Sequence, residues 1–98
     1  MNQKSIISID DLSIDDINHI LNDAEMFEKN IFHQVPSLEK KIFSIMFYEP
    51  STRTNLSFQS AINRLNSKMI IYNHDMSSSK KGESIYDTIK TMESYCDG

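Results

Sequence analysis

Ninety-eight residues, 39% of them hydrophobic and 24% charged, fit one small folded domain or a piece of a larger one and exclude global disorder. A net charge of −4 argues against a nucleic-acid binder that works by bulk electrostatics, and no apolar run approaches the ~20 residues of a membrane-spanning helix. One cysteine, Cys96, excludes an intrachain disulfide, and the start, Met1-Asn2-Gln3-Lys4-Ser5, lacks the apolar core of a signal peptide, so the expected setting is cytoplasmic.

Residues 6–12 form a short apolar–acidic lead-in. Ser13 and Asp16 have the spacing of a capping box. Ile17, Ile20, Leu21, Ala24 and Phe27 then recur with helical period, which predicts a helix over about 14–30, with Glu25 and Lys29 as an i,i+4 pair. His19 falls off the stripe and is expected in solvent. Residues 32–38 read as a connector punctuated by Pro36. The nearly continuous apolar run 40–48 predicts a strand buried on both faces, hence a parallel sheet. A second helical pattern follows over 56–65, with Phe58, Ala61, Ile62 and Leu65 expected inward and Asn55, Gln59 and Asn63 expected on the wet side. Residues 68–72 predict a second buried strand, and the three elements together make a βαβ unit. A polar loop spans 73–83. Ser84 and Asp87 start a further helix, with Ile85, Ile89, Met92 and Cys96 on one face. The fold class is therefore α/β, an incomplete parallel βαβα sheet domain that breaks off before a third strand.

The junction of the first strand and the second helix carries the chemistry. Ser51-Thr52-Arg53-Thr54 places three hydroxyls and a guanidinium in four consecutive residues. The first N–H groups of a helix have no partner within it, and the dipole makes that end positive, so a helix start is an anion site. Arg53 adds a planar fork that grips phosphate through two hydrogen bonds. Ser and Thr are also ordinary caps and Pro50 an ordinary turn residue. An arginine, however, sits at the unfavourable end of the dipole, and a bound anion is a reason for it. Acidic residues crowd the first third (Asp10, Asp11, Asp15, Asp16, Asp23, Glu25, Glu28), whereas Arg53, Arg64, Lys68, Lys80 and Lys81 lie later, so an anion is drawn to the later half. In the 73–83 loop two lysines beside three serines read either as a solvated surface loop or as an arm that brings ammonium groups to an anion.

Glu49-Pro50-Ser51-Thr52-Arg53-Thr54, Leu56-Ser57-Phe58, Arg64-Leu65, Ser77 through Lys81-Gly82-Glu83-Ser84, Asp87-Thr88 and Tyr95-Cys96-Asp97 resemble the aspartate carbamoyltransferases, in the first part of their carbamoyl-phosphate domain. The resemblance covers essentially residues 1–98. It implies transfer of a carbamoyl group from carbamoyl phosphate to L-aspartate, early in pyrimidine synthesis, with no metal or other cofactor. It implies that Ser51, Thr52, Arg53 and Thr54 hold the phosphate, that Arg53 stabilises the departing phosphate, and that Thr54 touches the carbamoyl oxygen. Ser77 and Lys81 match loop residues that reach a neighbouring subunit's site, where Lys81 contacts both substrates, and the implied assembly is a homotrimer. Glu49 resembles a residue that helps hold two domains closed. The S-T-R-T element is shared with ornithine carbamoyltransferases, but Glu49 and the serine-lysine-glycine-glutamate loop favour the aspartate branch.

Two positions depart from the family pattern: Asn55 replaces a common arginine and Asn66 a usual glycine. The arginine, histidine and glutamine that handle the carbamoyl group, and the arginines that bind aspartate, are expected beyond Gly98, so residues 1–98 alone are expected to be inactive. The rival readings are an ornithine carbamoyltransferase, a truncated phosphate-binding module without catalysis, and a small helical DNA-binding domain using 55–66. The acidic balance and the buried strand runs argue against the last.

Overall fold

The computed structural model describes residues 5–29, 37–73 and 84–98. The chain divides into two compact units, Met1–Val35 and Pro36–Gly98. Among the described residues no helix is long and apolar enough to cross a membrane.

The first unit is built on two consecutive serine caps. A 3₁₀ turn, Ile9–Asp11, is capped by Ser8, and helix α1, Ile14–Glu28, is capped by Ser13. In α1 the Asp16 N–H donates to Ser13 Oγ at 3.0 Å and the Ser13 N–H donates to Asp16 Oδ2 at 3.0 Å. Aspartate thus closes the box as glutamate would, satisfying two otherwise orphaned donors. Lys29 Nζ meets Glu25 Oε1 at 2.7 Å as expected, and His19, exposed, lies 3.3 Å from Asp23 Oδ2. No residue of α1 is buried.

The second unit is a βαβ arrangement. Strands β1, Ile42–Phe47, and β2, Lys68–Asn73, pair in parallel, in register from Ile42 opposite Lys68 to Phe47 opposite Asn73. Helix α2, Thr52–Arg64, connects them and packs on both. Ile45 and Ile62 are the buried hydrophobics among the described residues. The expected two-faced burial of the strands is met only in part: five residues of β1 are half-buried, and Ile71 of β2 is exposed.

The inner face of α2 differs from the expectation. Asn55, Gln59 and Ile62 are its half-buried and buried positions, while Phe58 and Ala61 are exposed. One hydrogen bond joins the two amides and offsets part of the cost of turning them inward: Gln59 Nε2 donates to Asn55 Oδ1 at 2.7 Å. α2 ends with Leu65 as C-cap. The Ser67 N–H donates to the Ile62 carbonyl at 3.2 Å and the Asn66 N–H to that of Asn63 at 3.1 Å, a Schellman ending with Asn66 in the left-handed region at φ 59°.

Helix α3, Ile85–Glu93, starts at Ser84, whose Oγ accepts from the Asp87 N–H at 3.0 Å. Met92 and Cys96 are half-buried as expected, but Ile85 and Ile89 are exposed and Thr88 is buried in their stead. The Thr88 hydroxyl donates to the Ser84 carbonyl at 3.1 Å, which removes the penalty of burying it.

Past α3 the chain returns to β1. Asp97 N–H donates to the Ile42 carbonyl at 2.8 Å, and Asp97 Oδ2 accepts from the Ile42 N–H at 2.9 Å. Gly98 N–H reaches the Ile42 carbonyl at 3.4 Å and its carbonyl accepts from Ser44 N–H at 2.8 Å. Bonds to both neighbours of Phe43 are the pattern of a parallel pair. Lys41 turns its carbonyl instead toward Lys68 of β2, so residues 97–98 occupy the opposite edge of β1. A Cβ at 98 would lie 3.0 Å from the Phe43 ring, so a side chain there requires that ring to shift.

Candidate functional site

This topology singles out the C-terminal end of β1. The crossover through α2 leads to one side of β1, and the passage through α3 leads to the other. In open parallel sheets the crevice beyond such a reversal is where ligands bind. β1 ends at Phe47, and the rings of Tyr48 and Tyr72 stand 6.1 Å apart near the strand ends. Glu49 and Pro50 are exposed and lead into Ser51, the N-cap of α2.

Thr52, Arg53 and Thr54 form the first turn of α2, four residues earlier than the apolar pattern alone begins. The Ser51 carbonyl accepts the first helical bond, from Asn55 N–H at 3.0 Å. Its side chain, unlike those of Ser8, Ser13 and Ser84, makes no capping hydrogen bond. The hydroxyl and the amides of the first turn are therefore left for another acceptor. The charges differ as well. α1 carries Asp15 and Asp16 in its first turn and α3 carries Asp87, whereas α2 carries no acidic residue there and has Arg53. Among the described residues no carboxylate forms an ion pair with Arg53. A cation at the positive end of a helix, with no carboxylate paired to it among the described residues, suits a multiply charged oxyanion.

The structure thus gathers Ser51, Thr52, Arg53 and Thr54 into one turn, with Glu49 two residues upstream. Ser77 and Lys81 lie outside the described residues, as does the loop assigned to them. Among the described residues no three His, Cys, Asp or Glu side chains are grouped to hold a metal ion. The sequence reading set Asn55 on the wet side of α2, whereas it is half-buried; its spacing of four from both Ser51 and Gln59 was the available sign.

Residues 4–98 match the family described as aspartate/ornithine carbamoyltransferase, carbamoyl-P binding domain. The catalytic subunit of aspartate carbamoyltransferase from Azobacteroides pseudotrichonymphae genomovar. CFP2 is 44% identical over 98 residues, covering 99% of this chain and 32% of that protein. The corresponding subunit from Thermococcus kodakarensis is 46% identical, covering 96% of this chain and 31% of its own length. Among solved structures, aspartate transcarbamoylase from Trypanosoma cruzi, in complex with carbamoyl aspartate and phosphate, superposes with a TM-score of 0.79 at 35% identity, over 96% of this chain and 31% of that one. The catalytic subunit of M. jannaschii aspartate transcarbamoylase gives a TM-score of 0.79 at 42% identity, over 97% and 32%. The chain spans about a third of the length of these relatives. Residues 4–98 place it in the aspartate/ornithine carbamoyltransferase family, within the carbamoyl-phosphate-binding domain.

Proposed function

We propose that this chain supplies the phosphate cradle of an aspartate carbamoyltransferase, which transfers the carbamoyl group of carbamoyl phosphate to L-aspartate. The observation that carries the reading is the first turn of α2: an uncapped serine, open amides and an arginine without a carboxylate partner among the described residues. The named relatives are aspartate enzymes, which supports the aspartate branch over ornithine.

In this reading the aspartate amine attacks the carbonyl carbon of carbamoyl phosphate and a tetrahedral oxyanion forms. The bond from carbon to the phosphate oxygen then breaks, phosphate leaves with the electron pair, and the attacking nitrogen loses a proton. Ser51, Thr52 and the first-turn amides hold the phosphoryl oxygens. Arg53 stabilises charge as it builds on the leaving group, and Thr54 donates toward the carbamoyl oxygen. Positioning and electrostatics supply the acceleration. Ser77 and Lys81 serve a neighbouring subunit of a homotrimer, Glu49 helps hold the closed form, and the enzyme works in the cytoplasm. Groups contributed from beyond residues 1–98 complete the site, so these residues alone are inactive.

The test is Arg53→Ala in the full-length enzyme, assayed for carbamoylation of aspartate. Turnover should fall about 10²–10³-fold, the cost of removing one donor to a developing anion. Near-normal turnover would remove Arg53 from the chemistry.

A further inference from the structure

Asn55 and Gln59 are half-buried on the inner face of α2 and continue, one turn apart, the row that begins at Ser51. Their hydrogen bond has a direction. Gln59 Nε2 donates to Asn55 Oδ1 at 2.7 Å, so Gln59 engages the acceptor branch of the Asn55 amide from its C-terminal side. A carboxamide carries its acceptor and its donors on separate branches of one plane, so pinning the oxygen also aims the nitrogen. Asn55 Nδ2 has no acceptor among the described residues. Helical side chains lean over the turn N-terminal to their own Cα, and for Asn55 that turn is 51–54.

We propose that Asn55 is a further binding residue for the phosphoryl group of carbamoyl phosphate or of inorganic phosphate, and that Gln59 is the positioning residue that keeps the Asn55 amide nitrogen facing it. The inference rests on reading 51–54 as the phosphate cradle. It adds two donor protons that carry no charge, one turn below Ser51, and it accounts for two amides on the half-buried face of α2.

The experiment is calorimetric titration of the full-length protein with inorganic phosphate, alongside the KM for carbamoyl phosphate. Asn55→Ala should weaken phosphate binding about tenfold, the scale of one donor to a charged acceptor. Asn55→Asp keeps the shape, removes both donors and adds a like charge, so it should weaken binding more than Asn55→Ala. Gln59→Met keeps length and helix propensity but not the donor, and should weaken binding about threefold. Adding Gln59→Met to Asn55→Ala should change nothing further, because Gln59 acts through Asn55. Phosphate affinity unchanged in both Asn55 variants overturns the proposal, as does an equal effect of Gln59→Met with and without Asn55. If the unmodified enzyme does not carbamoylate aspartate, the functional reading fails on its own, and phosphate affinity still decides the role of the amide pair.

Discussion

Asn66 shows how one side chain follows from one backbone angle. The left-handed conformation at φ 59° costs most L-residues about 1–2 kcal/mol, and asparagine tolerates it better than any residue with a branched Cβ. Asn66→Gly in the full-length chain should therefore be neutral to stabilising, by up to about 1 kcal/mol, and Asn66→Val should destabilise by about 1–2 kcal/mol, read as shifts in denaturant midpoint. At the other end of the chain, Asp16 accepts the backbone N–H of Ser13 and bonds its hydroxyl, and these hold its carboxyl below the usual 3.8. A depressed carboxyl contributes stability above the unfolded value of about 3.9, and that contribution is lost as pH falls through the folded value. An NMR titration should place the Asp16 midpoint below 3.8, with the start of α1 fraying as it protonates. A midpoint at or above that value would contradict the capping box. Asp11 follows the same logic, lowered by the N–H groups of Ile7 and then Ser8.

At the scale of the element, the helix starts separate into two kinds. Ser84 caps α3 through the Asp87 N–H, so Ser84→Ala should cost about 1 kcal/mol of stability. Ser51 makes no such bond, so Ser51→Ala should stay within about 0.5 kcal/mol of the parent and show its effect in phosphate affinity instead. Equal stability losses at the two serines would mean that Ser51 is a cap after all. The elements themselves were largely legible. The apolar run marks β1, the period marks the helices, and S-x-x-D spacing marks the starts of α1 and α3, because each reflects a local rule. What the pattern hid was which face turns inward. Amphipathicity assumes that apolar residues are buried, yet α2 turns Asn55 and Gln59 half inward and α3 buries Thr88, each held by a short-range hydrogen bond. The 3₁₀ turn at Ile9–Asp11 was missed although Ser8 and Asp11 repeat the spacing of Ser13 and Asp16.

At the scale of the whole molecule, long-range contacts decide where the site lies. The strand–turn–helix junction and the four residues of its turn could be read from the sequence. That residues 97–98 lie on the edge of β1 opposite β2 could not, since it depends on hydrogen bonds between Ile42 and Asp97, 55 positions apart. Those contacts make the end of β1 the place where connectivity reverses, and residues 51–54 stand there. The central claim is that this turn grips a doubly charged phosphoryl group. Its most direct test is the binding of a phosphonate–aspartate bisubstrate analogue to the full-length protein with and without Arg53→Ala, by calorimetry. Loss of the bidentate charged contact should weaken binding about 100-fold or more, whereas affinity within about twofold of the parent would contradict the claim.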